Sequence, residues 1–187
     1  SYVQTAYLIA EVIAIPLTGL LTRVLTMRWL FVSTLTLFTF ASIGCASSPN
    51  FQALIAWRLL QGFSGGTLIP AVFSAVFLLF PERQQGLATT IGGVLAVLAP
   101  TVGPIVGGWI TEIWSWHWLF LINVAPGLVA VLAAHRLLPA EPIALEQARR
   151  LDLVALALMA TALAALILGL KEAPQRGWLS APVAGLM

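Results

Sequence analysis

Two ionisable side chains stand where water should be scarce. Glu11 is the only charged residue in the apolar run 2–21, and Arg58 is the only one between Trp29 and Phe80. A charge near the centre of an isolated membrane helix costs about 2.5–3.5 kcal/mol or more, so each calls for a partner or a task. Burial and a neighbouring cation push a carboxyl's affinity for its proton in opposite directions. A Glu sharing a cavity with an Arg could therefore bind and release a proton as its exposure changes. Counted along the helix from Tyr2 and Phe51, Glu11 lies ~14 Å deep and Arg58 ~10 Å deep, close enough to expect one shared cavity. Gln61, three residues beyond Arg58, faces the same side and is expected to hydrogen-bond there. The alternative is that Glu11 and Arg58 form a structural pair or make separate hydrogen bonds.

Little else in the chain suggests chemistry. It has neither a GxxxxGK[ST] nucleotide loop nor an HExxH zinc motif. The single cysteine, Cys45, excludes an internal disulfide and reads as a small packing residue. His117 and His135 fall near opposite faces, and Glu112 sits at the rim of its span. With no nucleophile and base at one depth, neither an enzyme nor a metal, cofactor or nucleic-acid partner is expected.

The elements that must hold the two charges are membrane helices. Hydrophobic residues make up 60% of the 187, charged residues 9%, and the mean hydropathy is +0.98, against about 25% charged in soluble domains. Spanning the hydrocarbon takes roughly 20 apolar residues per helix, and the runs are far too long for barrel strands. Spans are read near 2–21, 29–47, 52–80, 86–113, 117–138 and 152–170, with another beginning near Ser180. The chain starts at Ser1 with no signal-peptide pattern, which leads us to expect a fragment with a helix upstream. Arg23, Arg28, Arg83, Arg136, Arg149 and Arg150 fall on alternate connections, and Lys171 and Arg176 on the others. The positive-inside rule makes the first set cytoplasmic, and Trp109, Trp114, Trp116, Trp118 and Trp178 form an aromatic belt at the opposite face.

Pro16-Leu17-Thr18-Gly19, followed by Arg28-Trp29-Leu30-Phe31-Val32, is echoed by Pro104-Ile105-Val106-Gly107, followed by His117-Trp118-Leu119-Phe120-Leu121. The two copies close spans of opposite direction, the inverted topology of secondary transporters. In the second copy, Gly92, Ala96, Ala99, Gly103 and Gly107 recur every three or four residues as a narrow stripe. Small residues let membrane helices approach closely, while Pro100 and Pro104 each remove a backbone donor. A bent, closely packed helix is expected, serving either a static face or a moving interface.

These residues together resemble the major facilitator superfamily, and within it the fourteen-helix drug:proton antiporters of the EmrB/QacA type. The resemblance rests on Arg58-Leu59-Leu60-Gln61-Gly62 (RxxQG), on Gly103-Pro104-Ile105-Val106-Gly107-Gly108 (GPxxGG) and on Trp118-Leu119-Phe120-Leu121-Ile122-Asn123-Val124 (WxFxINxP-like), in order and correctly spaced. Pro16-Leu17-Thr18-Gly19 and Gly177-Trp178 also fit. It implies an all-α membrane protein with a partial superfamily bundle. Residues 1–138 would be its N-terminal part (helices two to six, the first missing), 139–151 a cytoplasmic link, and 152–187 an extra seventh helix with the start of an eighth. By the same resemblance Arg58 belongs to proton coupling, and Pro100, Gly103, Pro104, Gly107 and Gly108 to an interface that rocks during transport.

Gly19, Arg23 and Arg28 lie in the loop where the family often has GxLxDRxGR(R/K). Here Arg23 replaces the Asp, and Val24 and Thr26 replace the next Arg and Gly, so the charge latch of that loop is not carried over intact. Ala125 occupies the usual Pro position, with Pro126 one residue later, which should shift the local kink. The expected function is proton-driven export of hydrophobic or amphipathic compounds across a bacterial inner membrane by alternating access. The implied partners are those substrates, protons and the lipid bilayer. For some relatives a periplasmic adaptor and an outer-membrane channel also take part. An antiporter for one metabolite, or a non-transporting sensor or assembly subunit, are the alternatives.

Overall fold

The computed structural model describes residues 2–139 and 153–176. Their regular structure is α-helical throughout: α1 (Tyr2–Ala46), α2 (Phe51–Leu79), α3 (Glu82–Ile113), α4 (Trp118–Leu121), α5 (Val124–Leu137) and α6 (Leu153–Arg176). Among the described residues, five stretches are long and apolar enough to cross a membrane. Two of them, Tyr2–Thr22 and Val24–Ala46, lie along α1; the others are α2, α3 and the run Trp118–Leu137. These match the first five spans read from the sequence. The sixth forms α6, whose apolar stretch Ala157–Gly169 is shorter. The link at 140–151, Asp152, Gly177-Trp178 and the span beginning near Ser180 lie outside the described residues.

A chain without water must satisfy its polar groups internally, and the hydroxyls here bond back to their own helices. Thr18 Oγ1 donates to the Ala14 carbonyl at 3.0 Å, Thr34 Oγ1 to Leu30 at 2.6 Å and Thr67 Oγ1 to Phe63 at 2.9 Å. At the start of α2, Asn50 Oδ1 accepts from the Ala53 backbone N–H at 2.8 Å, which satisfies one of the donors a helix N-terminus leaves free.

The two arms of α1 meet at Thr26, whose φ of 62° and ψ of 162° interrupt the helix. The loop expected there is thus one sharp break. A second break divides α4 from α5 at Ile122 and Asn123, so the span read as 117–138 is two helices. Pro126 is the cause: it has no N–H for the carbonyl of Ile122 four residues back, and its ring crowds that carbonyl.

The core lies between α1 and α2. Ala6, Ala10, Ala14 and Thr18 are buried at four-residue spacing along the first arm, and Gly62, Gly66 and Thr67 of α2 lie against that arm. A Cβ at Gly62 would strike the carbonyl of Tyr7, and one at Gly66 the backbone of Glu11. The contacts advance together, so the first arm and α2 run parallel, as two outside-to-inside spans should. The second arm carries α5, with Thr39 against Gly127.

The stripe on α3 behaves differently from the close packing expected of it. A Cβ at Gly92, Gly103 or Gly108 would meet nothing within 4 Å, and Ile110 is the one buried residue of α3. Among the described residues α3 touches only α2 and α4. It is also a single helix that continues through Pro100 and Pro104. Small residues permit close approach but do not supply a neighbour; here the neighbours meet at Gly62 and Gly66 instead.

Candidate ion-handling site in the helix bundle

Arg58 sits on α2, one turn before Gly62, and its guanidinium is half-buried among the side chains of Gln61, Tyr7 and Phe120. Nη1 donates to Gln61 Oε1 at 2.9 Å, the contact expected from the i+3 spacing. Gln61 Nε2 donates onward to Ser42 Oγ at 2.8 Å, and Ser42 Oγ in turn donates to the Phe38 carbonyl at 2.8 Å. Cys45 Sγ lies 3.9 Å from Gln61 Oε1, within range of a weak S–H donor. Gln61, Ser42 and Cys45 are all buried, so this is a dry polar chain in which each link orients the next. It joins α2 to the second arm of α1.

Two rings flank the guanidinium. Arg58 Cζ lies 5.4 Å from the ring centre of Tyr7 on α1 and 4.8 Å from that of Phe120 on α4. Cation–π contacts reach about 2 kcal/mol each when desolvated, and a hydrogen bond to a charged group adds about 1.5–3 kcal/mol. Together these match or exceed the insertion cost of about 2.5–3.5 kcal/mol, which explains how α2 holds a charge at this depth. Nε remains buried without a hydrogen-bond partner.

Glu11 is not among Arg58's partners. No hydrogen bond or ion pair joins them among the described residues; Arg58 turns to Gln61, Tyr7 and Phe120. The shared cavity was expected from depths counted from each helix end, but those ends are not level. With Tyr7 at Gly62 and Glu11 at Gly66, Glu11 is level with a point two turns, about 12 Å, beyond Arg58. Tyr7 bridges part of that gap. It precedes Glu11 by one turn on the same helix face, and its hydroxyl lies over Gly65, where a Cβ would come within 2.7 Å.

The other residues singled out in the sequence are dispersed. Pro100, Gly103, Pro104, Gly107 and Gly108 lie on the exposed α3; of the glycines, Gly107 alone has a neighbour, Leu119, 3.5 Å from where its Cβ would be. Gly19 lies on an exposed turn of the first arm. Arg28 Nη2 lies 2.8 Å from His135 Nδ1, and Trp29 packs on the same imidazole at 6.3 Å between ring centres. This contact ties the second arm to the end of α5, at the end of the bundle opposite Trp114, Trp116 and Trp118. The Arg23 side chain lies outside what the structure describes.

Residues 1–181 match the family model described as Major Facilitator Superfamily. The chain belongs to that superfamily. It is 45% identical over 129 residues to the colistin resistance protein EmrB of Acinetobacter baumannii, an alignment covering 69% of this chain and 25% of that protein. It is 33% identical over 178 residues to the fatty acid resistance protein FarB of Neisseria gonorrhoeae, covering 95% of this chain and 35% of FarB. Against the putative multidrug resistance protein MdtD of Yersinia pestis it is 32% identical over 185 residues, covering 99% and 39% respectively. The chain therefore spans between a quarter and two fifths of the length of these relatives.

The Major Facilitator Superfamily is a family of transport proteins and not of enzymes, and with the five long apolar stretches this makes the chain part of a multi-pass protein of the inner membrane. Tyr7, Ser42, Cys45 and Phe120 are the residues around Arg58 and Gln61 that spacing alone did not reveal. A signal existed for two of them. Ser42 and Cys45 fall three residues apart, on one face of a span otherwise rich in apolar side chains. Tyr7 and Phe120 carry no such mark, since an aromatic residue in a membrane helix is ordinary.

Proposed function

We propose that this chain is part of a proton-coupled secondary transporter that exports hydrophobic or amphipathic compounds by alternating access. The observation that carries the reading is Arg58: a guanidinium held within α2 by Gln61 and two rings, with one buried N–H unsatisfied. A donor left open inside a transporter bundle is suited to a partner that comes and goes. Glu11, with Tyr7 between it and Arg58, is the proton-binding candidate on the same side of α1.

The names of the relatives support the substrate class. Colistin and fatty acids are both amphipathic, and MdtD is named for multidrug resistance. Pro100, Gly103, Pro104, Gly107 and Gly108 form, on this reading, the face against which another part of the transporter moves. The division into a bundle at 1–138, a link at 139–151 and an additional helical segment at 152–187 belongs to the same proposal. So does cooperation with a periplasmic adaptor and an outer-membrane channel, which co-purification with the full-length protein would test.

The deciding experiment is efflux of a fluorescent amphipathic compound from proteoliposomes containing the full-length transporter, with and without an imposed proton gradient. Transport that follows the gradient and collapses with an uncoupler is expected. Efflux indifferent to the uncoupler would end the proton-coupling reading.

A further inference from the structure

Phe120 is the one ring at Arg58 that comes from neither α1 nor the rest of α2's own interface. It lies on α4, the four-residue helix that connects α3 to α5, and is 6% exposed. It packs with Cys45 and Ala46, against Leu54, Trp57 and Leu121. Trp116, in the turn leading out of α3, meets the Phe120 ring edge-on at 6.1 Å. Leu119, the residue before Phe120, is what a Cβ at Gly107 would touch. The outer end of α3 is thus joined to the Arg58 site through α4, while among the described residues the rest of α3 meets only α2.

We propose that Phe120 is a positioning residue for Arg58, holding its guanidinium against Gln61 and transmitting displacement of α3 to it. This inference rests on the transport reading above and adds how the glycine–proline helix and the intramembrane charge are linked. The physical basis is the division of the guanidinium into faces and edges. An aromatic ring occupies a face, which leaves the N–H edges free for Gln61 and for an anionic partner. When α3 moves, Trp116 and Leu119 carry α4 with it, Phe120 leaves the guanidinium face, and Arg58 loses the contact that fixes its aim. A linkage of this kind needs demonstrated coupling between the residues, because adjacency is not enough.

Two measurements on the full-length transporter test it. The first is a double-mutant cycle in melting temperature with Phe120→Leu, Arg58→Gln and the double variant. Contacting residues are non-additive, so the loss caused by Phe120→Leu is expected to shrink by at least about half in the Arg58→Gln background. Additive losses would overturn the contact. The second is transport kinetics in proteoliposomes. Phe120→Leu is expected to lower kcat about tenfold with KM little changed, the pattern of a lost transition-state interaction, and Phe120→Trp to restore most of it. Wild-type kcat in Phe120→Leu, or no rescue by Trp, would make Phe120 a packing residue only. If Phe120→Leu fails to insert, Phe120→Met, apolar and close in volume, carries the same test. A wild-type protein whose efflux ignores the proton gradient would overturn the proton-coupling reading and the positioning role with it. The melting cycle would still report the contact, so the two failures are distinguishable.

Discussion

Gly66 lies against the backbone of Glu11 so closely that a Cβ there would fall on the Glu11 carbonyl oxygen and Cα. The atoms it would meet are backbone, which cannot swing aside as a side chain end can. The same holds one turn earlier, where Gly62 faces the carbonyl of Tyr7. These two glycines set the register in which Arg58 reaches Tyr7 and Glu11 falls beyond it.

Gly66→Ala should therefore destabilise the folded protein, by about 1–3 kcal/mol if the two helices must separate to admit the methyl group. Gly103→Ala on α3, where a Cβ meets nothing within 4 Å, should leave the melting temperature unchanged. If α3 forms a moving interface, that variant should still slow efflux. Thermal melting of both purified variants, paired with efflux rates, separates a packing glycine from an interface glycine. Equal melting shifts would contradict the register described.

The composition and the lengths of the apolar runs made the helical membrane fold legible, because in lipid the backbone has almost no other choice. The Arg58–Gln61 hydrogen bond was legible for a similar reason: both residues lie on one helix, and helix geometry fixes their spacing. What was not legible depends on how separate helices slide past one another. The stripe on α3 and the pair Gly62 and Gly66 look alike as small-residue patterns, yet only the second has a helix against it. The distance from Glu11 to Arg58 likewise follows from the relative heights of α1 and α2, which no count from either helix end supplies.

Thr26 combines two costs in one residue. Its φ of 62° with ψ of 162° is a conformation open to glycine and strained for a β-branched side chain, and its Oγ1 is buried without a partner. Such backbone strain costs on the order of 1–3 kcal/mol, whereas glycine's extra freedom in the unfolded chain offsets only roughly 1 kcal/mol. Thr26→Gly should raise the melting temperature by about 2–4 °C per kcal/mol gained. A fall would mean that the break between the two arms is not strained.

Gln61 is the hinge of the buried polar chain, accepting from Arg58 and donating to Ser42. Gln61→Leu fills the space but leaves Arg58 Nη1 without its acceptor, adding to the unpartnered Nε. An unsatisfied buried donor costs about 1–3 kcal/mol, and more when it is charged. Ser42→Ala removes only the far end of the chain, where Gln61 Nε2 loses a neutral acceptor. Gln61→Leu should therefore lower the melting temperature more than Ser42→Ala. The reverse order would show that the chain is anchored at Ser42 and not at the charge.

The separation of Glu11 from Arg58 gives their substitutions different consequences. If the two formed an ion pair, Glu11→Gln and Arg58→Ala would each strand the other charge, and removing both would be milder than removing either alone. With Arg58 held by Gln61, Tyr7 and Phe120 instead, the guanidinium keeps its partners when Glu11 is neutralised. Glu11→Gln should consequently leave insertion and melting close to wild type while weakening proton-driven efflux in the full-length transporter, since an amide cannot take up a proton. Arg58→Ala should abolish efflux more completely, because it removes the cation from the centre of the site. Efflux in Glu11→Gln that follows an imposed proton gradient as the wild type does would return Glu11 to a structural role. A large melting loss in that variant, relieved in the double variant with Arg58→Ala, would instead reveal a direct pairing of the two charges.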